Sequence, residues 1–252
     1  MDEKNLIGRG AQADVYLIDN RAVKIFKDVF AQADAYCEAN IQERAYQLGL
    51  PVPRIYEVKK INGQMAIIME YIMGTPLSTV MQNDMHNVRN YIKSSVDIQL
   101  NVNARKADGF PSQKDKLVKN IKNTPLLDDK TKEILVGKTD CLDTEDRLCH
   151  GDFHVQNLIK TVNDIKIIDW MDASSGSAAV DACRTYLLYL LYRNDVADLY
   201  LNMYCSESEY IRDDIINWLP VVAGARLNEK TSKMELQLLL SMIQGYKTES
   251  QF

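Results

Sequence analysis

The stretch from Leu148 to Trp170 constrains this chain more than any other part of it. His150-Gly151-Asp152 is followed by Asn157, a short apolar run at Leu158 and Ile159, a polar turn from Thr161 to Asp164, and a second apolar run from Ile165 to Ile168 that ends at Asp169. Two short β-rich runs around an Asn-Asp turn predict a hairpin. In a hairpin, the residue entering the first strand and the residue leaving the second lie side by side. Asn157 and Asp169 hold those positions, and Asp152 sits on the loop leading in. An amide oxygen and a carboxylate at one point, with a second carboxylate nearby, suit a hard cation and a proton acceptor. Mg²⁺ takes a few such oxygens together with substrate phosphates. The pattern Asp-x-x-x-x-Asn followed by Asp fits phosphoryl transfer, with Asp152 as base and Asn157 and Asp169 on the metal. The plain alternative is a surface hairpin with ordinary polar turn residues.

With 252 residues, 46% of them hydrophobic, the chain can bury a substantial core as one large domain or two lobes. A net charge of −5 and a pI near 5.3 argue against a nucleic-acid partner, which demands a basic face. The acidic balance is compatible with a cationic small substrate. No long uncharged apolar run predicts a membrane span, and Met1 to Asn5 lack the pattern of a signal peptide. The five cysteines (Cys37, Cys141, Cys149, Cys183, Cys205) are scattered and never spaced as C-x-x-C, which reads as reduced thiols in a cytoplasmic protein. Cys149 adjoins the candidate catalytic loop and reads as packing.

His150-Gly151-Asp152-Phe153-His154-Val155-Gln156-Asn157, with Ile168-Asp169-Trp170, resembles the aminoglycoside phosphotransferase and choline kinase group of small-molecule kinases. The resemblance implies an α+β, two-lobed, protein-kinase-like fold, with a small antiparallel-sheet N-lobe carrying one helix over residues 1–72 and a larger, mainly helical C-lobe over 73–252. It implies ATP or GTP as donor, Mg²⁺ as metal and a hydroxyl-bearing small molecule as acceptor. Protein kinases carry Arg where this chain has Gly151, and Phe-Gly where it has Trp170-Met171.

Taken in order, Leu6 to Phe26 reads as two or three strands. Gly8 and Gly10, in a segment from Ile7 to Val15 close to G-x-G-x-x-G-x-V, predict a turn whose backbone can approach phosphates; Ala13 stands where a third Gly would. Ala22-Val23-Lys24 resembles the kinase strand that carries the phosphate-gripping Lys. Ala31 to Leu48 predicts a helix stopped by Gly49 and Pro51. In the kinase template a Glu on this helix pairs with the strand Lys. Glu43 is the choice and Glu38 the alternative, because helical phase does not settle which faces the sheet. Ile55 to Lys59 and Gln64 to Tyr71 read as strands about an Asn62-Gly63 turn. Glu70 to Leu77 reads as a hinge. By resemblance Glu70 and Ile72 offer a backbone carbonyl and amide to adenine, with Met69 behind the base.

Val80 to Val102, Lys114 to Ile121 and Asp128 to Val136 carry helical spacing, with a break at Gly109 to Ser112. Val180 to Tyr192 predicts a buried helix. Asp181 at its head reads either as a cap or, by resemblance, as a brace for the catalytic loop. Asp172 reads as a surface-loop residue, with an approach to the metal or to a cationic substrate as the alternative. Glu207, Glu209, Asp213 and Asp214 read as a solvated helix start, and the resemblance allows them a role in receiving a polycationic substrate. A protein kinase and a nucleotide-binding regulator without catalysis are the rival functions. The first is opposed by Gly151 and by the short run between Asp169 and the next helix. The second is opposed by the presence of every charged group the reaction needs. Nothing in the sequence specifies the acceptor or the oligomeric state.

Overall fold

Between Leu6 and Glu70 five short runs rich in apolar residues form an antiparallel sheet, with one helix between the third and fourth. The structure, a computed structural model, describes residues 5–10, 12–27, 32–142 and 145–249. Ala11 of the glycine-rich turn and Ala31, expected to open the first helix, lie outside the described residues, as do Met1 to Lys4. The chain divides into two units, residues 1–85 with 155–172 and residues 86–154 with 173–252.

In the first unit β1 (Leu6–Arg9), β2 (Ala13–Ile18), β3 (Arg21–Phe26), β4 (Ile55–Ile61) and β5 (Gln64–Glu70) order as β1-β2-β3-β5-β4. Asp19 and Asn20 take φ of 48° and 58°, and Asn62 and Gly63 take 51° and 87°. Positive φ at both central residues is the type I′ geometry that matches strand twist, so both hairpin turns form from residues that tolerate it best. Side-chain alternation on β3 places Ala22 and Phe26 in a core with Ala35 and Ala39 of α1 (Gln32–Gln47) and with Met65, Ile67 and Met69 of β5. Val23 and Ile25 pack on the opposite face with Ala66 and Ile68. Lys24 shares the face of Ala22 and Phe26, toward α1.

The predicted hairpin forms in the same unit. β6 (Thr75–Pro76) leads into α2 (Leu77–Asn83) and pairs with β8 (Leu158–Lys160), which pairs in turn with β9 (Ile165–Ile167). The Ile167 amide also donates to the Pro51 carbonyl at 2.9 Å. The first unit therefore runs past residue 72 and takes in a hairpin from far along the chain, because the β6–β8 ladder ties the two together.

The second unit is mainly helical. It holds α3 (Val88–Asn103), α4 (Gln113–Asn123), α5 (Asp129–Thr139), the two-stranded ribbon of β7 (Arg147–Cys149) and β10 (Ser174–Gly176), α6 (Ala178–Leu190), α7 (Asn194–Glu207), α8 (Arg212–Ile216), α9 (Leu219–Arg226) and α10 (Lys233–Glu249). Ser112 Oγ accepts from the Asp115 amide and Asp128 Oδ1 from the Thr131 amide, which fixes the starts of α4 and α5. α6 is buried along almost its whole length. Gln99 and Asn103 of α3 reach into this core and accept from the hydroxyls of Tyr200 and Tyr204 at 2.7 and 3.0 Å. The helical stretch expected from Val80 to Val102 is two helices, interrupted at Asp84, whose φ of −140° and ψ of 66° are not helical. The sequence shows no sign of β6, β7 or β10, since strands of two or three residues are too short for a period-2 pattern to register. Among the described residues no helix is long and apolar enough to cross a membrane.

Gly74 tests the β6–β8 contact. A Cβ there would lie 2.5 Å from the Lys160 carbonyl oxygen and 2.7 Å from Ile159 Cγ2. Backbone cannot give way as a side chain can, so Gly74→Ala is expected to cost about 1–3 kcal/mol in a denaturation experiment. A wild-type transition would mean that this close approach does not exist.

Candidate active site

Lys24 lies between two carboxylates of the first unit. Its Nζ donates to Glu38 Oε1 at 2.5 Å and to Asp169 Oδ1 at 3.2 Å, joining β3, α1 and the end of the hairpin. Lys24 is 14% exposed and Glu38 2%. Burial alone would lower the Lys24 pKa, but the Asp169 and Glu38 charges outweigh it and hold the ammonium above its ordinary value. Burial raises the Glu38 carboxyl, and Lys24 reverses that only in part.

The helix partner of Lys24 is thus Glu38 and not Glu43, the residue chosen from sequence. Glu43 accepts from Gln47 Nε2 at 3.2 Å, one turn along α1. The reason is helical phase. Ala35, Glu38, Ala39 and Gln42 recur at three- and four-residue spacing on the buried face, and five residues from Glu38 to Glu43 turn the side chain away by ~140°. The usable signal was an acidic residue bracketed by alanines on an apolar stripe.

At the hairpin's open end the Ile168 amide donates to the Asn157 carbonyl at 2.9 Å, extending the ladder by one step beyond β8 and β9. This brings Asn157 and Asp169 to the two flanks of that end, as their sequence positions require. Asp169 has φ of 65°, a left-handed conformation that costs on the order of 1–2 kcal/mol outside glycine. The turn carries its carboxylate to Lys24. Trp170, fully buried, donates from Nε1 to the Ile167 carbonyl at 3.1 Å and anchors the residues that follow. Among the described residues no three His, Cys, Asp or Glu side chains converge as in a dedicated metal cage. An amide oxygen and a half-exposed carboxylate are instead a donor set for a hard cation that shares its remaining positions with phosphates.

Gly10 closes the β1–β2 turn, its amide donating to Ala13 at 2.9 Å and its carbonyl accepting from Lys27 Nζ at 2.6 Å. Gly8 lies on β1, its α-carbon against Val15. The Glu70 amide and carboxylate both engage the Arg54 backbone, at 2.9 and 3.2 Å. Ile72 follows in the half-buried segment that leaves β5, and Met69 is buried in the core.

In the second unit Asp152 sits on a loop held from beneath. The Gly151 amide donates to Asp181 Oδ1 at 2.8 Å. Asp181 Oδ2 accepts from Gln99 Nε2 and Asn103 Nδ2, both at 3.1 Å. Ser177 occupies the N-cap of α6, so Asp181 acts as the brace and not as the cap. His154 Nε2 lies 3.4 Å from Asp152 Oδ2, and Arg184 Nη2 lies 3.7 Å from Oδ1. Burial would raise the Asp152 carboxyl, but the hydrogen bond and charge of His154, with the charges of Arg184 and His150, hold it well below the usual carboxylate range. Cys149 is buried, and burial together with Asp181 and Glu145 pushes its thiol well up, which fits packing and not nucleophilic chemistry. Of the acidic group, Glu207 pairs with Lys93 at 3.5 Å and Asp214 accepts from the Ile211 amide at 3.0 Å. Arg184 and His154 were missed from sequence. For Arg184 the available signal was a lone cation in the apolar α6.

The profile of the phosphotransferase enzyme family matches residues 5–213, and the chain belongs to that family. Among solved structures, a thermostable mutant of the aminoglycoside phosphotransferase APH(4)-Ia aligns over 96% of this chain and 88% of its own, with 13% identity and a TM-score of 0.64. The choline kinase LicA from Streptococcus pneumoniae aligns over 96% and 92%, with 14% identity and a TM-score of 0.64. An aminoglycoside-3′-phosphotransferase of type VIII aligns over 88% and 91%, with 16% identity and a TM-score of 0.63. At these identities the likeness establishes the protein-kinase-like α+β fold. No curated protein matches the sequence.

The two candidate helix partners of Lys24 separate by substitution. Glu38→Ala leaves the buried ammonium with Asp169 alone and is expected to destabilise the protein by up to about 3 kcal/mol, measured by chemical denaturation. Glu43→Ala should stay within roughly 0.5 kcal/mol. Equal effects would place the pair elsewhere.

Proposed function

We propose that this protein transfers the γ-phosphoryl group of ATP to a hydroxyl of a small molecule. The observation that carries the reading is the double engagement of Lys24 by Glu38 and Asp169. It unites the strand cation, the helix acid and the hairpin carboxylate that phosphoryl transfer requires. Lys24 contacts the nucleotide phosphates and Glu38 holds it in place. The turn at Gly8 and Gly10 covers those phosphates, and the backbone of Glu70 and Ile72 receives the adenine. Asn157 and Asp169 hold Mg²⁺, which supplies charge neutralisation on the phosphate oxygens. Asp152 orients the acceptor hydroxyl and takes its proton as the new oxygen–phosphorus bond forms and the bond to the β-phosphate oxygen breaks. A carboxylate held well below the usual range is a weak base, which suits a loose transition state in which the proton leaves late. The related structures lend support, since one aminoglycoside phosphotransferase was determined with ADP and hygromycin B and another relative is a choline kinase.

A small acceptor is favoured over a peptide by β10. Ser174 and Ser175 pair with Cys149 and Leu148 of β7, and Ser174 is 2% exposed, so this segment is strand and not a phosphorylatable activation loop. Screening hydroxyl compounds, cationic ones included, for nucleotide consumption is expected to identify a small-molecule acceptor, with no efficient transfer to peptides. Robust peptide phosphorylation altered by Ser175→Ala would overturn this.

Asp152→Asn is expected to lower turnover by about 10²–10⁴ while nucleotide affinity stays near wild type. Asp169→Ala should weaken Mg²⁺-dependent nucleotide binding as well, read by titrating nucleotide with and without Mg²⁺. An unchanged Mg²⁺ dependence would sink the metal assignment.

A further inference from the structure

Gly151 stands where protein kinases place an Arg beside the catalytic Asp. Its φ of 79° is a conformation that glycine adopts without penalty and an Arg side chain would strain. A guanidinium beside Asp152 must therefore come from outside the loop, and α6 supplies one. Arg184 donates from Nε to the Gly151 carbonyl at 3.3 Å, and its Nη2 lies 3.7 Å from Asp152 Oδ1. The same nitrogen reaches Glu229, on the segment between α9 and α10, at 2.9 and 3.1 Å. Glu229 is shared with Arg226 of α9, whose Nη2 faces Glu235 of α10 at 3.8 Å. Arg184 is 12% exposed, so little solvent weakens these contacts.

We propose that Arg184 is a positioning residue for the phosphoryl transfer, fixing Asp152 and the Gly151 carbonyl, and that Glu229 holds Arg184 there permanently. In protein kinases the comparable state is reached when a phosphate on the activation loop pairs with Arg. Here a carboxylate of the same chain stands in that place, so the enzyme is active without modification. The proposal rests on the reading of Asp152 as proton acceptor.

The groups facing Asp152 are His150 and His154 from its own loop, Arg184 from α6 and, at longer range, Arg226 from α9; Tyr192, Glu229 and Glu235 surround the two arginines. Removing Arg184 deletes one cation and leaves the burial, so the Asp152 carboxyl must titrate at higher pH. An Arg184 engaged with Glu229 alone would leave that titration unmoved, so the midpoint reports the contact with Asp152 and kcat reports whether that contact matters for transfer.

The test uses the full chain, ¹³C-carboxyl NMR assigned by Asp152→Asn, and MgATP turnover with water as acceptor. Arg184→Met is expected to raise the Asp152 midpoint by about one pH unit. It should also lower kcat by about 10- to 100-fold with the KM for MgATP unchanged. Arg184→Lys keeps the charge, so the midpoint stays near wild type while kcat recovers only in part, since one ammonium replaces a fork. Glu229→Gln, which leaves every arginine in place, should lower kcat in the same way and serves if Arg184→Met fails to fold. An unmoved midpoint in Arg184→Met, an unchanged kcat in Glu229→Gln, or loss of wild-type turnover on phosphatase treatment overturns the proposal. Wild-type turnover in Asp152→Asn would instead overturn the reading of Asp152 on which it rests.

Discussion

The ion pair between Lys24 and Glu38 is the interaction on which the first unit's chemistry depends. Taking both charges out of water costs several kcal/mol per ion before their attraction repays it, so such pairs contribute little net stability. Their effect here is positional. The sheet fixes Lys24 on the α1 face, the helix fixes Glu38 opposite it, and the hairpin delivers Asp169 to the same ammonium. Two carboxylates keep a buried lysine charged, and a charged lysine is what a polyphosphate requires.

The second unit applies the same logic to a carboxylate. Asp181 is nearly inaccessible and takes hydrogen bonds from Gly151, Gln99 and Asn103, so its charge is matched by oriented donors. Gln99 and Asn103 are held by Tyr200 and Tyr204, which extends the network into α7. A network whose members are each paired rigidifies what it touches, and what it touches is the loop carrying Asp152. Asp152 itself lies beside His154 and the Arg184 guanidinium. The two aspartates have opposite tasks, one structural and buried, the other partly exposed and kept ionised.

The phosphotransferase family, the α+β fold and the hairpin of Leu158 to Ile167 were legible because they rest on local patterns. Asn-Gly and Asp-Asn turns, a glycine-rich turn before a strand Lys, and the spacing of Asp152, Asn157 and Asp169 each act within a few residues, where backbone geometry leaves few alternatives. The β6–β8 pairing was not legible, because a two-residue strand has no periodicity of its own and gains its hydrogen bonds only from a partner far along the chain.

Sequence by itself therefore determined which chemical groups the chain carries and the order in which they occur. Tertiary structure decided which of them meet. Glu38 and Glu43 are the same residue type on the same helix, and only the packing of Ala35 and Ala39 against the sheet turns the first toward Lys24 and the second away. Arg184 reads as one charge in an apolar helix until the fold brings it to Gly151, Asp152 and Glu229. Helical phase against a sheet and contact between distant segments are set by burial of the whole core, and no window of the sequence contains that information.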